Sequence, residues 1–198
     1  MGAAGFTGAK ADLHRYLQES RDGMVRALEG ATEYDIRRPL TPSGTNLLGL
    51  VKHLAGVELG YLVESVGRTA PVLPWNEDGS VWDSADMWTT PEQSREYLLG
   101  LYREAWALSD ASLAELPLDA PAEVEWWSAE KRHTTFGHLL ARVVAETARH
   151  AGHADILRET LDGQAGRDHA DQGDGQWWSD YVASIQAAAE PFRDATGS

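Results

Sequence analysis

Residues 134–163 read TTFGHLLARVVAETARHAGHADILRETLDG, and the fold turns on how this stretch is laid down. Thr134 or Thr135 can cap a helix, and Asp162-Gly163 can stop it. Between them, Leu139, Val143, Glu146, His150, His153 and Leu157 recur at spacings of four, three, four, three and four. That is one stripe of an α-helix, the stripe a bundle helix turns towards its core. Three of the six positions carry titratable side chains where Leu or Val would be expected. An ionised Glu inside a bundle without a partner costs about 3–5 kcal/mol, by comparison with a broken buried ion pair, so the stripe requires a compensating group. A divalent cation would serve. Glu146 and His150 lie one helical turn apart on one face, which suits chelation of a single ion. Carboxylate and imidazole are acceptable ligands for Zn, Ni, Fe(II), Mn or Co. A hydrogen-bonded pair within the helix accounts for the same spacing equally well.

A second polar intrusion sits in LLGLVKHLAGVE, residues 47–58. His53 shares a stripe with Gly49, Gly56 and Gly60. Glycine inside a helix costs about 1 kcal/mol relative to Ala, so three on one face imply close approach or room beside a ligand. Close packing on a neighbouring helix, with His53 as a satisfied core histidine, is the plainer alternative.

The rest of the chain supplies the other helices. Leu13, Tyr16, Leu17, Met24, Val25 and Leu28 predict a first helix over about 7–29. IRRPLTPSGTN forms a connector ending in a cap at Thr45 or Asn46, and a second helix follows over about 47–66. From Gly67 to Thr90 no period is sustained, and loops of this length are usually functional or crossover connections. Thr90-Pro91-Glu92-Gln93 combines a capping box with proline at the first helical position, predicting a third helix from there to about Ala111. LAELPLDAPAEVEWWSAEKRHTT is another irregular crossing, with a short extended piece at Val124 to Trp127. After the fourth helix, the polar tail GQAGRDHADQGDG leads to a last helix from Gln176 to Ala189, ended before Pro191. The expected fold is all-α: a four-helix bundle with long crossover connections plus an additional C-terminal helix packed outside it. One domain is expected over 1–198, with its core at about 7–163 and the tail helix at about 176–190.

Composition narrows the chemistry. The 198 residues suit one domain, and 42% hydrophobic with 24% charged residues is ordinary globular usage. A formal net charge of -14 repels phosphate backbones and anionic membranes, so no nucleic acid and no membrane is expected as a partner. With no cysteine, disulfides, thiol nucleophiles, iron–sulfur ligation and Cys-based zinc sites are excluded. No signal-like start and no spanning apolar run is present, so the expected location is cytoplasmic.

Several other residues have two readings. Trp75, Trp82 and Trp88 in the long crossover, and Trp126 and Trp127 in the next, could line a pocket mouth, although anchoring the loops is the plainer role. Arg142 and Arg149 could meet an anionic substrate or a cofactor carboxylate, although exposed helix arginines are usually solvated. His14, His133, His138 and His169 show no comparable geometry and are taken as structural or surface residues. Trp177, Trp178, Tyr181, Ile185 and Phe192 give the tail helix enough apolar surface to dock on the bundle or on a second subunit as a homodimer.

The strings LLGLVKHLAGVE (Leu47 to Glu58) and ETARHAGHADILRE (Glu146 to Glu159) resemble the DinB-like superfamily, in its branch of uncharacterised mini-circle-type proteins near the mycothiol-dependent enzymes. The resemblance covers most of the chain up to about Gly163. It implies a four-helix bundle holding a three-ligand metal site, with one ligand from the second helix and two, four apart, from the fourth. His53, Glu146 and His150 take those roles. Many members supply three histidines; Glu146 in the middle role is similar to the mycothiol-dependent maleylpyruvate isomerase-like relatives. His153 stands where many relatives carry Gln, which implies a place behind the ligands or facing substrate. If Glu146 points instead at Arg149 or solvent, His150 and His153 become the fourth-helix pair.

Three protein ligands leave a coordination position open, the arrangement of a reactive site. The cofactor that the resemblance implies is a divalent metal ion, zinc ahead of nickel, iron and manganese. Relatives use mycothiol, bacillithiol or glutathione, so the resemblance implies a thiol-dependent transferase or isomerase acting on a low-molecular-weight thiol and an electrophilic substrate, with His153 as a proton relay and Arg149 towards the cofactor. Metal-dependent hydrolysis by bound hydroxide is the second reading. A metal-containing stress or interaction protein without turnover is the third.

Overall fold

The computed structural model describes residues 7–163 and 173–193. His169 and most of the polar tail fall outside those residues. The longest helix forms where its caps allow it. Thr135 accepts a hydrogen bond from the His138 N–H at 3.3 Å, and Gly163 closes the other end at φ 74, a left-handed position that suits glycine. This is α6, Phe136–Asp162. Its buried Leu139, Val143, His150 and Leu157 follow the predicted stripe.

α1 (Gly8–Arg26), α3 (Leu47–Glu58) and α5 (Arg95–Glu115) complete the bundle. α1 lies along α6, α3 lies along α5, and α3 also meets α6. The core fills with Leu48, Leu50, Val51 and Leu54 of α3, Leu98 and Tyr102 of α5, Met24 of α1 and Leu157 of α6. A second cluster gathers Leu17, Leu62, Leu113, Phe136, Leu140 and Val143. Each fully buried aliphatic or aromatic side chain contributes about 1.5–3 kcal/mol.

Four details depart from the sequence reading. A short helix, α2 (Glu33–Arg37), begins the connector after α1, capped by Thr32 accepting from the Asp35 N–H. The second bundle helix does not continue as α-helix to Val66: it widens into a π turn over Leu59–Val63 and tightens into a 3-10 turn over Glu64–Val66. The third bundle helix starts at Arg95, because Ser94 accepts from the Tyr97 N–H at 3.1 Å. Thr90 to Gln93 forms a separate turn, in which the Gln93 side chain accepts from the Thr90 N–H and from Lys52 Nζ. The extended piece is β1 (Pro121–Glu123), paired antiparallel with β2 (His133–Thr135), so Val124 to Trp127 lies past the strand.

The crossover from Gly67 to Ser94 carries α4 (Pro74–Glu77) and two 3-10 turns, Ser80–Asp83 and Ala85–Met87. α7 (Gly175–Ala189) is the additional C-terminal helix, but none of its residues is buried, and Tyr181, Val182 and Ile185 are about half exposed. The apolar face expected to dock is open to solvent.

Candidate functional site

α3 and α6 bring His53, Glu146 and His150 together, one donor atom of each lying within 4.8 Å of the others. Glu146 Oε1 stands 3.3 Å from His150 Nε2 and 3.7 Å from His53 Nε2. Ligands about 2.1 Å from a tetrahedral ion are themselves about 3.4 Å apart, so these separations fit one small divalent cation. The two imidazole rings meet edge to face at 5.1 Å. His150 is nearly buried, while the side chains of His53 and Glu146 are 20% and 25% exposed, so the cluster reaches solvent on one side.

Burial pushes the Glu146 carboxyl up, but His150, His53 and Arg149 together hold it below the usual carboxylate range. Burial and the neighbouring His53 push His150 down, against a smaller opposing pull from Glu146.

The other predicted residues fall behind this cluster. His153 is exposed and meets only the outer side of His150, Nδ1 to Nδ1 at 3.4 Å. Arg149, 65% exposed, reaches Glu146 Oε2 at 3.4 Å, while Oε1 stays turned to the histidines. Among the described residues, the three donor atoms that converge as a group are those of His53, Glu146 and His150, and His153 is not one of them. Arg142 lies instead between the rings of Tyr61 and Trp127, at 5.0 and 5.5 Å. His14 lies 3.3 Å from Asp110, His133 lies 4.0 Å from Glu123, and His138 packs on Trp127.

A cavity of about 380 Å³ opens beside His53, within the size range of small-molecule sites. Tyr61, Trp75, Trp82 and Trp126 supply aromatic walls, and Glu64, Asp86 and Glu125 supply carboxylates. Lys and Arg are absent from its lining among the described residues. The tryptophans thus divide: three line the cavity, Trp127 packs on the second core cluster, and Trp88 lines neither. Burial raises the Glu64 carboxyl, and the like charge of Glu125 raises it further.

The glycine stripe divides as well. A Cβ on Gly49 would stand 1.9 Å from the Met87 carbonyl oxygen, so here glycine permits close backbone approach. At Gly60 it would stand 3.1 Å from the Trp126 ring, against the cavity wall. At Gly56 the nearest atom would be an ordinary contact.

Two features went unread in the sequence. Asp86 Oδ2 lies 2.6 Å from His53 Nδ1. No spacing rule links positions 53 and 86, and the lysine within the apolar run beside His53 was the only available signal. The second is an ion pair between Arg21 and Glu58, both fully buried, which Asp110 joins at 2.9 Å. Arg21 belongs to no motif, and Glu58, although it ends the string LLGLVKHLAGVE, was not singled out there.

A helical bundle with two histidines and a glutamate converging from two helices, beside an aromatic cavity, defines the class: a bundle protein with a candidate three-ligand metal site. The mycothiol-S-transferase family model matches residues 12–163, and the chain belongs to that family. The crystal structure of a conserved protein from Enterococcus faecalis superposes with a TM-score of 0.61 at 14% identity, covering 80% of this chain and 100% of that one. At that identity the likeness concerns the fold. No curated protein matches the sequence. Among the described residues, no helix is long and apolar enough to cross a membrane.

Proposed function

We propose that this protein is a divalent-metal-dependent thiol S-transferase of the mycothiol type, with His53, Glu146 and His150 as the metal ligands and zinc as the first candidate ion. One observation carries the reading: two Nε2 atoms from different helices converge on one carboxylate oxygen at 3.3 and 3.7 Å while Asp86 occupies His53 Nδ1. A bound ion would lower the pKa of a thiol so that thiolate is available at neutral pH. The chain has no cysteine, so that thiol arrives as a co-substrate.

The chain's own residues do the rest. Three ligands leave a position open on the solvent side. His153 steadies the outer nitrogen of His150, and Arg149 braces the outer oxygen of Glu146. The adjoining cavity receives the electrophile, whose apolar body packs on Trp75, Trp82 and Trp126. Carboxylates without Lys or Arg in the lining favour a neutral or cationic acceptor over an anionic one.

An imidazolium at His53, held between Asp86 and Glu146, would satisfy the same carboxylates without a metal, and it predicts no zinc binding. The experiment combines zinc titration with turnover of purified protein given mycothiol and a fluorogenic electrophile. Expected are zinc binding and mycothiol-dependent consumption of the electrophile, both lost in His53→Ala. Zinc-loaded protein that consumes nothing with the thiol, or that turns over equally well without it, would overturn the transferase reading.

A further inference from the structure

We propose that Asp86 is a positioning residue for His53: its carboxylate accepts a hydrogen bond from Nδ1–H and leaves Nε2 as the lone-pair atom turned towards Glu146 and His150. The inference rests on the reading of His53 as a ligand. The 2.6 Å contact is a short, charge-assisted hydrogen bond, and Asp86 is only 15% exposed. A histidine whose outer nitrogen is held by a carboxylate has its tautomer and ring plane fixed before the ligand arrives.

The fold holds Asp86 there deliberately, through the first two turns of α3. The Asn46 side chain caps α3 by accepting from the Gly49 N–H at 2.8 Å, and its Nδ2 donates to the Met87 carbonyl at 3.1 Å. Gly49 lacks the Cβ that would collide with that carbonyl. Lys52, nearly buried, donates from Nζ to the carbonyls of Ala85 at 2.5 Å and Trp88 at 2.9 Å. His53 itself makes the last contact. Residues 85–88 are thus strapped to α3 on both sides of Asp86.

Backbone conformation points the same way. Ser84, at φ 62, is the one non-glycine residue with positive φ among the described residues, and it immediately precedes the strap. A left-handed serine costs about 1–2 kcal/mol and persists where surrounding contacts over-determine it. The contacts on Asn46, Gly49, Lys52 and His53 are sufficient to do so. The Asp86 carboxylate makes no cap; its one hydrogen bond given by the structure is to His53, and its charge also supports the nearby Lys52 ammonium.

Two measurements on the full chain test the assignment. The first is the tautomer of His53 in metal-free protein, read from ring-nitrogen chemical shifts at a pH where the imidazole is neutral. The wild type is expected to carry the proton on Nδ1, and Asp86→Ala to shift the population towards the Nε2–H form. The second is zinc affinity by chelator competition. Asp86→Ala is expected to weaken zinc by about 10–100-fold, with Asp86→Asn, which keeps an acceptor oxygen, recovering part of the loss. If Asp86→Ala fails to fold, Asp86→Leu, of similar size and without an acceptor, carries both measurements.

An unchanged tautomer, or a zinc affinity within about threefold of wild type, would overturn the role of Asp86. Wild-type protein that binds no zinc would instead overturn the ligand reading, while the tautomer measurement still decides whether Asp86 orients His53.

Discussion

Two of the polar side chains that α3 carries into the bundle, His53 and Glu58, stand five positions apart and meet opposite fates. Glu58 is fully buried and closed. Arg21 binds it through Nε at 2.9 Å and through a second guanidinium nitrogen at 2.5 Å, and the third nitrogen reaches Asp110 at 2.9 Å. Burial disfavours the Arg21 charge, but Glu58 and Asp110 outweigh it and raise its pKa. His53 is open. Its Nε2 and that of His150 face one carboxylate oxygen, the nearest cation is the largely exposed Arg149, and a cavity adjoins. A polar cluster whose donors and acceptors match within the chain is an internal brace. One whose donor atoms converge and leave a place between them is built for something the chain does not supply.

The sharpest way to test the closed cluster is to open it. Arg21→Ala leaves Glu58 buried and unpaired, and is expected to lower the unfolding free energy in urea by about 3–5 kcal/mol. Replacing Arg21 and Glu58 together by Met and Leu is expected to recover most of that loss. A small effect from Arg21→Ala would mean that water reaches Glu58 and that the two clusters are alike.

The proposed ligand role makes the open cluster respond to zinc instead. Free zinc at about 100 times its Kd is expected to raise stability by about 2.7 kcal/mol, read as a shift in the denaturation midpoint. His150→Ala is expected to abolish the shift. EDTA returns wild-type protein to the metal-free curve. Zinc that stabilises His150→Ala as much as wild type would place the ion elsewhere.

The strap behind His53 comes next in size. Lys52→Met removes the Nζ donor to two backbone carbonyls in a nearly buried setting, with an expected loss of about 2 kcal/mol in urea unfolding. It also frees Asp86 to move, so zinc affinity falls with it. Lost stability with unchanged zinc affinity would show that the strap serves the fold alone.

How much of this was legible depends on whether the cause was local. The α6 stripe could be read because helical periodicity is a property of neighbouring residues, and Glu146 and His150 stood where apolar residues belonged. His53 stood out as the imidazole on the glycine stripe, and the family strings then gave it the ligand role. The π turn after Glu58 left no such trace, because a widened turn answers to packing across the bundle. The start of α5 lies later than expected because the Thr90–Gln93 contact of a capping box does form, Gln93 accepting from the Thr90 N–H and from Lys52, but it closes an isolated turn, and Ser94 caps the helix instead. Asp86 and Arg21 were illegible for a third reason. Each acts on a partner more than 30 residues away in sequence, and such a partner is chosen by the route of the chain.

The smallest expected effect discriminates best, because it applies one kind of substitution to the two clusters that share α3. Glu146→Gln in metal-free protein is expected to change stability by less than about 1 kcal/mol, since the carboxylate is a quarter exposed and its ion pair with Arg149 is solvated. Glu58→Gln, by contrast, takes the charge from a buried bidentate pair and leaves Arg21 with only Asp110 as an ionic partner, so its loss should exceed that of Glu146→Gln severalfold. With zinc present the ranking changes: Glu146→Gln loses the metal-dependent gain, whereas Glu58→Gln keeps it. If Glu146→Gln destabilises the metal-free protein as much as Glu58→Gln does, Glu146 belongs to a closed brace like its counterpart, and the convergence of donor atoms on it loses its meaning as a site.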